Sequence, residues 1–203
     1  MGSPLFQAIK YDKAPRAPLP WRPGARFILR KMTVTLIGLG NILMRDEGVG
    51  IQALQALKDR YELPPGLEVV DGGTSGLDLL PYIEGRDRVL FVDAVNFRQE
   101  PGYIGILENQ EIPALFGPKG SLHHLGLMDV LAAAQLLGTA PRDVCLIGIQ
   151  PQTIELGLDL SELLREKMEL LLARITAKLQ EWGIDCQVRP AKAKDNLGGG
   201  PGT

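Results

Sequence analysis

The chain has 203 residues, 45% of them hydrophobic, and its 22 basic and 24 acidic side chains give a formal net charge of −2. This length can bury one sizeable core but is too short for two comfortable domains, and the balanced charge excludes the basic surface that nucleic-acid binding requires. No stretch approaches the roughly 20 apolar residues of a membrane helix or forms an apolar signal segment, which predicts a cytoplasmic protein without membrane association.

The two ends of the chain differ in composition from the middle. Residues 1–31 are rich in proline and basic side chains, which predicts a disordered extension, and the β-like run that follows makes Met32 the expected natural start. Residues 191–203 are rich in glycine, which predicts a flexible tail. We expect residues 32–190 to form a single α/β domain.

Strand and helix patterns alternate along this middle part. Short β-branched runs predict five buried strands, at 33–38, 67–70, 88–93, 103–107 and 144–149. Amphipathic patterns predict helices at 47–60, 75–84, 124–137 and 162–182, the last of them stopped by Gly183. This alternation predicts a three-layer α/β/α sandwich with a mostly parallel, twisted sheet of about five strands.

Polar or glycine-rich segments follow several of these strands where they end. The four segments are Gly38–Asn41, Asp71–Thr74, Asp93 and Gln150–Pro151. In an open parallel sheet, the loops at the carboxyl ends of the strands converge on a crevice. We therefore expect the chemistry of the protein to lie there.

The first of these segments allows two interpretations. Gly38 and Gly40 could open a dinucleotide site, but Leu43 occupies the position of the third glycine, and a tight turn with positive φ explains the glycines equally well. Asp46 and Glu47 then precede a helix, where acids can cap the backbone N–H groups. We expect one acid to cap and the other to face the crevice.

Two further acids follow buried strands. Asp93 ends an almost wholly apolar strand, and a buried carboxylate needs a partner, a metal or a raised pKa, which favours a functional role. Asp71 has an equivalent position, but the Gly-Gly-Thr-Ser sequence after it is equally consistent with a carboxylate that orders its own turn or caps the next helix.

His123 and His124 are the only histidines, so any mechanism that needs an imidazole must use this pair. Their place before an apolar helix favours the neutral form that ligates metals, while two partly exposed helix-cap residues remain the alternative. A serine or cysteine nucleophile has little support, because no G-x-S-x-G motif occurs and Cys145 and Cys186 lie in β-like runs as expected of buried, reduced thiols. Two carboxylates and an imidazole suit nickel or zinc.

Several separated motifs, taken together, resemble the nickel-iron hydrogenase maturation proteases. These motifs are Gly38–Leu43, Asp46–Gly50, Asp71–Thr74, Asp93–Ala94 and the S-x-H sequence that ends at His123. The resemblance extends from about Met32 to Trp182. The run Glu111–Phe116 is also similar to that of members that process uptake hydrogenases.

This resemblance implies an endopeptidase that removes the C-terminal extension of a hydrogenase large-subunit precursor after nickel insertion. It implies that Glu47, Asp93 and His123 contact the metal and carry the catalysis, with His123 rather than His124 in the S-x-H position and Asp71 as a secondary candidate. The nickel belongs to the substrate, although a surrogate divalent metal is able to take its place. The resemblance further implies a monomer with a phosphorylase/hydrolase-like fold, and we expect no organic cofactor.

The mechanism and two other functions stay open at this point. Hydrolysis could be aspartic-type or metal-assisted, with a carboxylate as general base or with the three residues serving only to dock the nickel. A non-enzymatic nickel-binding accessory protein could use the same ligands, and a nucleotide-binding α/β module could use the glycine turn.

Overall fold

The computed structural model describes residues 32–116 and 125–190. Its strands are β1 (Val34–Leu39), β2 (Tyr61–Glu62), β3 (Leu67–Gly73), β4 (Arg88–Ala94), β5 (Ile104–Glu108), β6 (Asp143–Ile149) and β7 (Gln187–Val188). Five of them form the central sheet in the order β3-β1-β4-β6-β5, and β2 pairs with β7 separately. All neighbours in the central sheet are parallel except β5, which pairs antiparallel with β6 at the edge. The predicted, mostly parallel sheet of about five strands is confirmed.

Helices cover both faces of this sheet. They are α1 (Val49–Arg60), α2 (Leu80–Ile83), α3 (Glu111–Phe116), α4 (Leu125–Leu136) and α5 (Glu162–Glu181), with short 3-10 helices at Arg45–Gly48 and Leu77–Leu79. Leu90 and Val92 of β4 point into one apolar cluster with α1 and α5, whereas Val89 and Phe91 point into a second with α2 and α4. The three-layer α/β/α sandwich is therefore confirmed.

The helix predictions hold best where the apolar pattern is longest. Ser161 begins α5 by accepting a hydrogen bond from the N–H of Leu164, and Gly183, with a φ of +78°, ends it as predicted. The predicted helix at 75–84 is instead a 3-10 turn followed by the four residues of α2, because Pro81 cannot continue a preceding helical turn. Two elements were not predicted, namely α3 and the small β2–β7 sheet, whose segments are too short to show a period.

Two other predictions concern the thiols and the chain ends. Cys145 is buried, but Cys186 is only half-buried because it precedes the exposed strand β7, so the prediction of two buried thiols is wrong for Cys186. The predictions for residues 1–31 and 191–203 lie outside the described residues.

Within the described ranges, no helix combines the length and apolar character needed to cross a membrane.

The order of the strands determines where a crevice can form. The segment after β1 leads to α1 on one face of the sheet, whereas the chain after β4 leads, through β5, to α3 and α4 on the other face. Neighbouring strands whose connections leave on opposite faces are separated by a gap at their carboxyl ends. In this chain that gap lies between Leu39 at the end of β1 and Ala94 at the end of β4.

Gly50 sets how closely α1 approaches this gap. A Cβ at Gly50 would lie 2.2 Å from the carbonyl oxygen of Val92 and 2.3 Å from that of Leu39. Both atoms belong to the sheet backbone, which cannot move aside as a flexible side chain can. The first turn of α1 therefore rests directly on the ends of β1 and β4.

We predict that Gly50→Ala lowers the free energy of unfolding by about 2–4 kcal/mol, because the added methyl group overlaps two backbone oxygens. Gln55→Ala, at an exposed position of the same helix, is the control and should change stability by less than about 0.5 kcal/mol. Denaturant unfolding of the two variants measures the difference. Equal stabilities would show that α1 does not rest on the sheet in this way.

Candidate active site

A cleft of about 230 Å³ opens at the carboxyl ends of β1, β3 and β4. Its lining includes Gly40 and Glu47 after β1, Thr74 after β3, Asp93 at the end of β4, and Gly126 in the first turn of α4. The predicted convergence of strand ends therefore holds for three of the four segments. The fourth segment is elsewhere, because the backbone of Gln150 is hydrogen-bonded to Gly102 and Tyr103 in the loop before β5.

Asp93 is the most deeply buried acid in the cleft lining. Its side chain is 7% exposed, and its Oδ1 accepts a hydrogen bond from the N–H of Ala94 at 2.8 Å. The pKa of Asp93 is raised to about 8, chiefly by burial, with the Ala94 hydrogen bond lowering it and the nearby charge of Glu47 raising it. Asp93 is consequently protonated at neutral pH when no cation is present.

Glu47 reaches the same cleft from the 3-10 helix after β1, and it is half-buried. Its backbone is fixed from two sides. Its N–H donates to the carbonyl oxygen of Met44 at 3.1 Å, and its own carbonyl oxygen lies so close to Gly40 that a Cβ there would be 1.7 Å away. The positive φ of Gly40, +125°, is thus explained by this tight turn. The loop brings Glu47 within electrostatic reach of Asp93, as the sequence analysis expected of one of the two acids.

Asp46, the other acid, has a role that the sequence did not predict. It is completely buried, and neither the 3-10 helix nor α1 has a side-chain cap. Instead its carboxylate accepts hydrogen bonds from the N–H groups of Gln152, Thr153 and Ser161, at 2.9, 3.0 and 2.6 Å. The expectation of a capping acid is wrong, because this carboxylate is the acceptor for backbone donors of the loop after β6, among them the buried Ser161.

Asp71 is exposed and is not among the residues that line the cleft. Its Oδ1 accepts a hydrogen bond from the N–H of Gly73 at 3.0 Å, two residues along the chain. The carbonyl oxygen of Gly73 in turn accepts from the N–H of Gly40 at 2.9 Å. Asp71 therefore orders the turn that supports the cleft floor, which is the second of the two roles considered from the sequence.

His123 and His124 lie outside the described residues. The described chain resumes at Leu125, and the first turn of α4 reaches the cleft through Gly126 and the buried Leu127. A Cβ at Gly126 would lie 3.1 Å from the Cα of Gly76, so α4 is packed tightly against the loop after β3. His123 thus precedes, by three residues in the sequence, a position that lines the cleft.

Some residues of the cleft were not singled out from the sequence. Thr74 and Ser75 bring two exposed hydroxyl groups to the cleft lining. The only signal for them was their place after a strand end. Within the described ranges, no group of three or more His, Cys, Asp or Glu side chains could hold a metal ion. The described part of the site thus offers one half-buried and one buried carboxylate, which together suit a cation or a pair of acid and base groups.

Comparisons with known proteins agree with the resemblance of the motifs. The family model described as hydrogenase maturation protease matches residues 51–178. The hydrogenase 2 maturation protease of Escherichia coli (strain K12) is 38% identical over 161 residues, which cover 79% of this chain and 98% of that protein.

Two solved structures share the fold. The hydrogenase maturating endopeptidase HybD from Escherichia coli is 38% identical, with a TM-score of 0.74 over 78% of this chain and 98% of that one. The [NiFe] hydrogenase maturation protease HybD from Thermococcus kodakarensis is 28% identical, with a TM-score of 0.60 over 73% of this chain and 99% of that one.

We predict that Asp46→Asn lowers the free energy of unfolding by about 2–4 kcal/mol, because the amide loses the charge that strengthens three hydrogen bonds, one of them buried and two partly buried. Asp159→Asn is a suitable control, since it makes the same change at an exposed position of the same loop. Thermal melts of both variants measure the effect. A melting temperature for Asp46→Asn equal to that of the control would contradict it.

Asp93→Asn should have the opposite effect on stability. The folded protein binds a proton at Asp93 that the unfolded chain releases near pH 3.8, so the contribution of Asp93 to stability is most favourable below about pH 4 and is lost as the pH rises toward 8. The asparagine amide oxygen can still accept the hydrogen bond from the N–H of Ala94, but the amide does not ionise, so it loses no stability as the pH rises. At pH 8 the variant should be more stable than wild type by on the order of 3 kcal/mol, and the difference should vanish at pH 4. A constant difference at all pH values would argue against a raised pKa.

Proposed function

The chain belongs to the nickel-iron hydrogenase maturation protease family, and from this we propose an endopeptidase that removes the C-terminal extension of a hydrogenase large-subunit precursor after nickel insertion. The observation that carries the proposal is the pairing of buried Asp93 with Glu47 in one cleft at the strand ends. A buried acid with a raised pKa is typical of functional sites. The partner in this proposal is the precursor protein, and the residues of the cleft bind the nickel that the precursor carries.

Recognition of the nickel follows from the chemistry of the two acids. The charge of Glu47 would repel an ionised Asp93, and it contributes, after burial, to the raised pKa of Asp93. A divalent ion removes the repulsion and compensates the lost hydration of the buried carboxylate. The cleft is therefore expected to gain affinity only for a precursor whose nickel has an open coordination position, with His123 proposed as the third, nitrogen ligand. A surrogate divalent metal would occupy the same place.

The two acids support two routes to peptide hydrolysis. In the metal-assisted route, the precursor's nickel polarises the scissile carbonyl while a cleft carboxylate takes a proton from the attacking water. In the aspartic-type route, protonated Asp93 donates a hydrogen bond to that carbonyl and Glu47 accepts the proton of the water. In either route the carboxylate then passes this proton to the nitrogen of the leaving peptide as the C–N bond breaks. The first route cuts only nickel-loaded precursor. The second also cuts nickel-free precursor once the extension lies in the cleft.

Two other functions compete with this proposal. A nickel-binding accessory protein would bind the metal without shortening the precursor, and it would usually need more His or Cys ligands than this chain has. A nucleotide-binding module could use the glycine turn, but Leu43 takes the place of the third glycine of its motif. A nucleotide-binding function also does not account for a buried acid paired with a second acid.

The setting of the reaction is part of the same proposal. We propose a cytoplasmic monomer that acts without an organic cofactor, with residues 32–190 as the catalytic domain. The two cysteines support a reducing compartment, since both are free thiols.

Purified protein mixed with nickel-loaded precursor should shorten it by a C-terminal peptide, as followed by mass spectrometry. Glu47→Gln, Asp93→Asn and His123→Ala should each lower the rate by about 100-fold or more, because each removes a group that contacts the metal or moves a proton. Glu84→Gln is the matched control at an exposed acid, and Asp71→Asn tests the secondary candidate. Full-length precursor after incubation with nickel present would refute the peptidase and favour the accessory protein.

Binding of the nickel-loaded precursor should strengthen as the pH rises from 6 to about 8. The reason is competition, because nickel must displace the proton that Asp93 holds below its pKa of about 8. Tenfold tighter binding per pH unit is the upper limit for release of one proton. The measurement is a dissociation constant at several pH values with Glu47→Gln as the comparison. In that variant the dependence should move to lower pH, and an unchanged profile would mean that Glu47 does not act on Asp93.

A further inference from the structure

Two loops beside the cleft expose large aliphatic side chains at neighbouring positions. We call this surface the apolar platform and define it by five residues: Ile42, Leu43, Ile154, Leu156 and Leu158. Their exposures are 47%, 55%, 51%, 83% and 65%. Single exposed aliphatic residues are ordinary on a protein surface, but a group of five on adjoining loops is typical of an interaction site.

Backbone hydrogen bonds join the two loops into one surface. The N–H of Gly157 donates to the carbonyl oxygen of Leu43 at 2.9 Å, and the N–H of Arg45 donates to the carbonyl oxygen of Gly157 at 2.8 Å. Leu156 and Leu158 flank Gly157, so both are placed next to Leu43. The side chain of Gln52 adds a hydrogen bond to the carbonyl oxygen of Leu158 at 3.2 Å.

The platform is continuous with the cleft. Ile42 follows Gly40 by two residues, and its Cα lies against Gly48, where a Cβ would be only 2.8 Å away. Glu47, the adjacent residue, lines the cleft. A molecule that lies on the platform therefore meets the cleft at its edge.

A buried acid holds the platform in its shape. The carboxylate of Asp46 binds the N–H groups of Gln152, Thr153 and Ser161, which bracket the exposed leucines of the second loop. Burial of this carboxylate costs hydration that three charge-assisted hydrogen bonds offset. Ordering a loop costs conformational entropy, and leucines that face solvent contribute no buried apolar surface to offset it. A partner that covers these leucines would supply that burial, and the ordered loop would then lower the entropy lost on binding.

We propose that the apolar platform is the docking surface for the folded body of the large-subunit precursor, through an apolar patch of that protein. The inference rests on the proposed function and adds the place where the substrate is held. Specific protein complexes use about 20–30 residues on each partner, whereas the cleft is lined by ten residues of the described chain. The rest of the contact must come from surfaces around the cleft, and the platform adjoins it.

The test compares three full-length variants in binding and cleavage of nickel-loaded precursor. Leu156→Asp and Leu43→Asp place a charge on each loop of the platform. Leu136→Asp is the control, because Leu136 is 89% exposed but lies at the end of α4 far from Gly126 and the cleft. Thermal melts confirm that each variant is folded. We expect both platform variants to weaken binding and raise KM by about tenfold or more, with kcat nearly unchanged, while the control behaves as wild type.

The possible results separate this inference from the proposed function. Cleavage by wild type with unchanged KM in both platform variants would overturn the docking surface and leave the peptidase intact. Binding without cleavage, lost in the platform variants, would support the docking surface and overturn the peptidase. If light scattering showed a wild-type dimer that Leu156→Asp converts to a monomer with unchanged KM, the platform would be a contact between two copies and the inference would be wrong.

Discussion

A carboxylate at the end of an apolar strand loses most of its hydration, and Asp93 is placed in that situation by the sheet itself. The strand must be apolar because helices cover both of its faces, and Asp93 is its last residue but one. Its pKa is therefore raised to about 8, mainly by burial and to a smaller extent by the charge of Glu47. Ionisation of such a buried acid lowers the stability of the protein without a bound cation, and a cation that compensates the charge offsets this loss. The chemistry of the site follows from this one constraint.

The rest of the fold keeps the second acid in register with the first. Gly50 lets α1 rest on the ends of β1 and β4, and the tight turn at Gly40 fixes the backbone of Glu47. Asp46 ties this turn to the loop after β6. The two acids are neighbours in the sequence but have different roles. Asp46 stabilises the loop after β6, whereas Glu47 faces the cleft. Such rigid support is what a site needs if it is to distinguish a loaded precursor from an empty one.

Much of this arrangement could be predicted from the sequence, because it depends on local patterns. The long helical period of α5 and the apolar runs of β1, β4 and β6 predicted the three-layer architecture. The rule that the carboxyl ends of parallel strands converge predicted that Glu47 and Asp93 lie close together. The role of Asp46 could not be predicted, because its hydrogen-bond donors lie more than 100 residues away in the chain. The short helix α3 and the β2–β7 pair were not predicted for a different reason. Segments of two to six residues are too short to show a helical or strand period in their apolar residues.

X-ray absorption at the nickel edge would test the central claim most directly, namely that Glu47 and Asp93 take hold of the substrate's nickel. Nickel-loaded precursor would be mixed with the protein and frozen before the first cleavage is complete. The account predicts additional oxygen ligands on the nickel with wild-type protein and none with a Glu47→Gln, Asp93→Asn double variant. A nickel spectrum that is the same with and without wild-type protein, while the precursor is still cut on longer incubation, would contradict it.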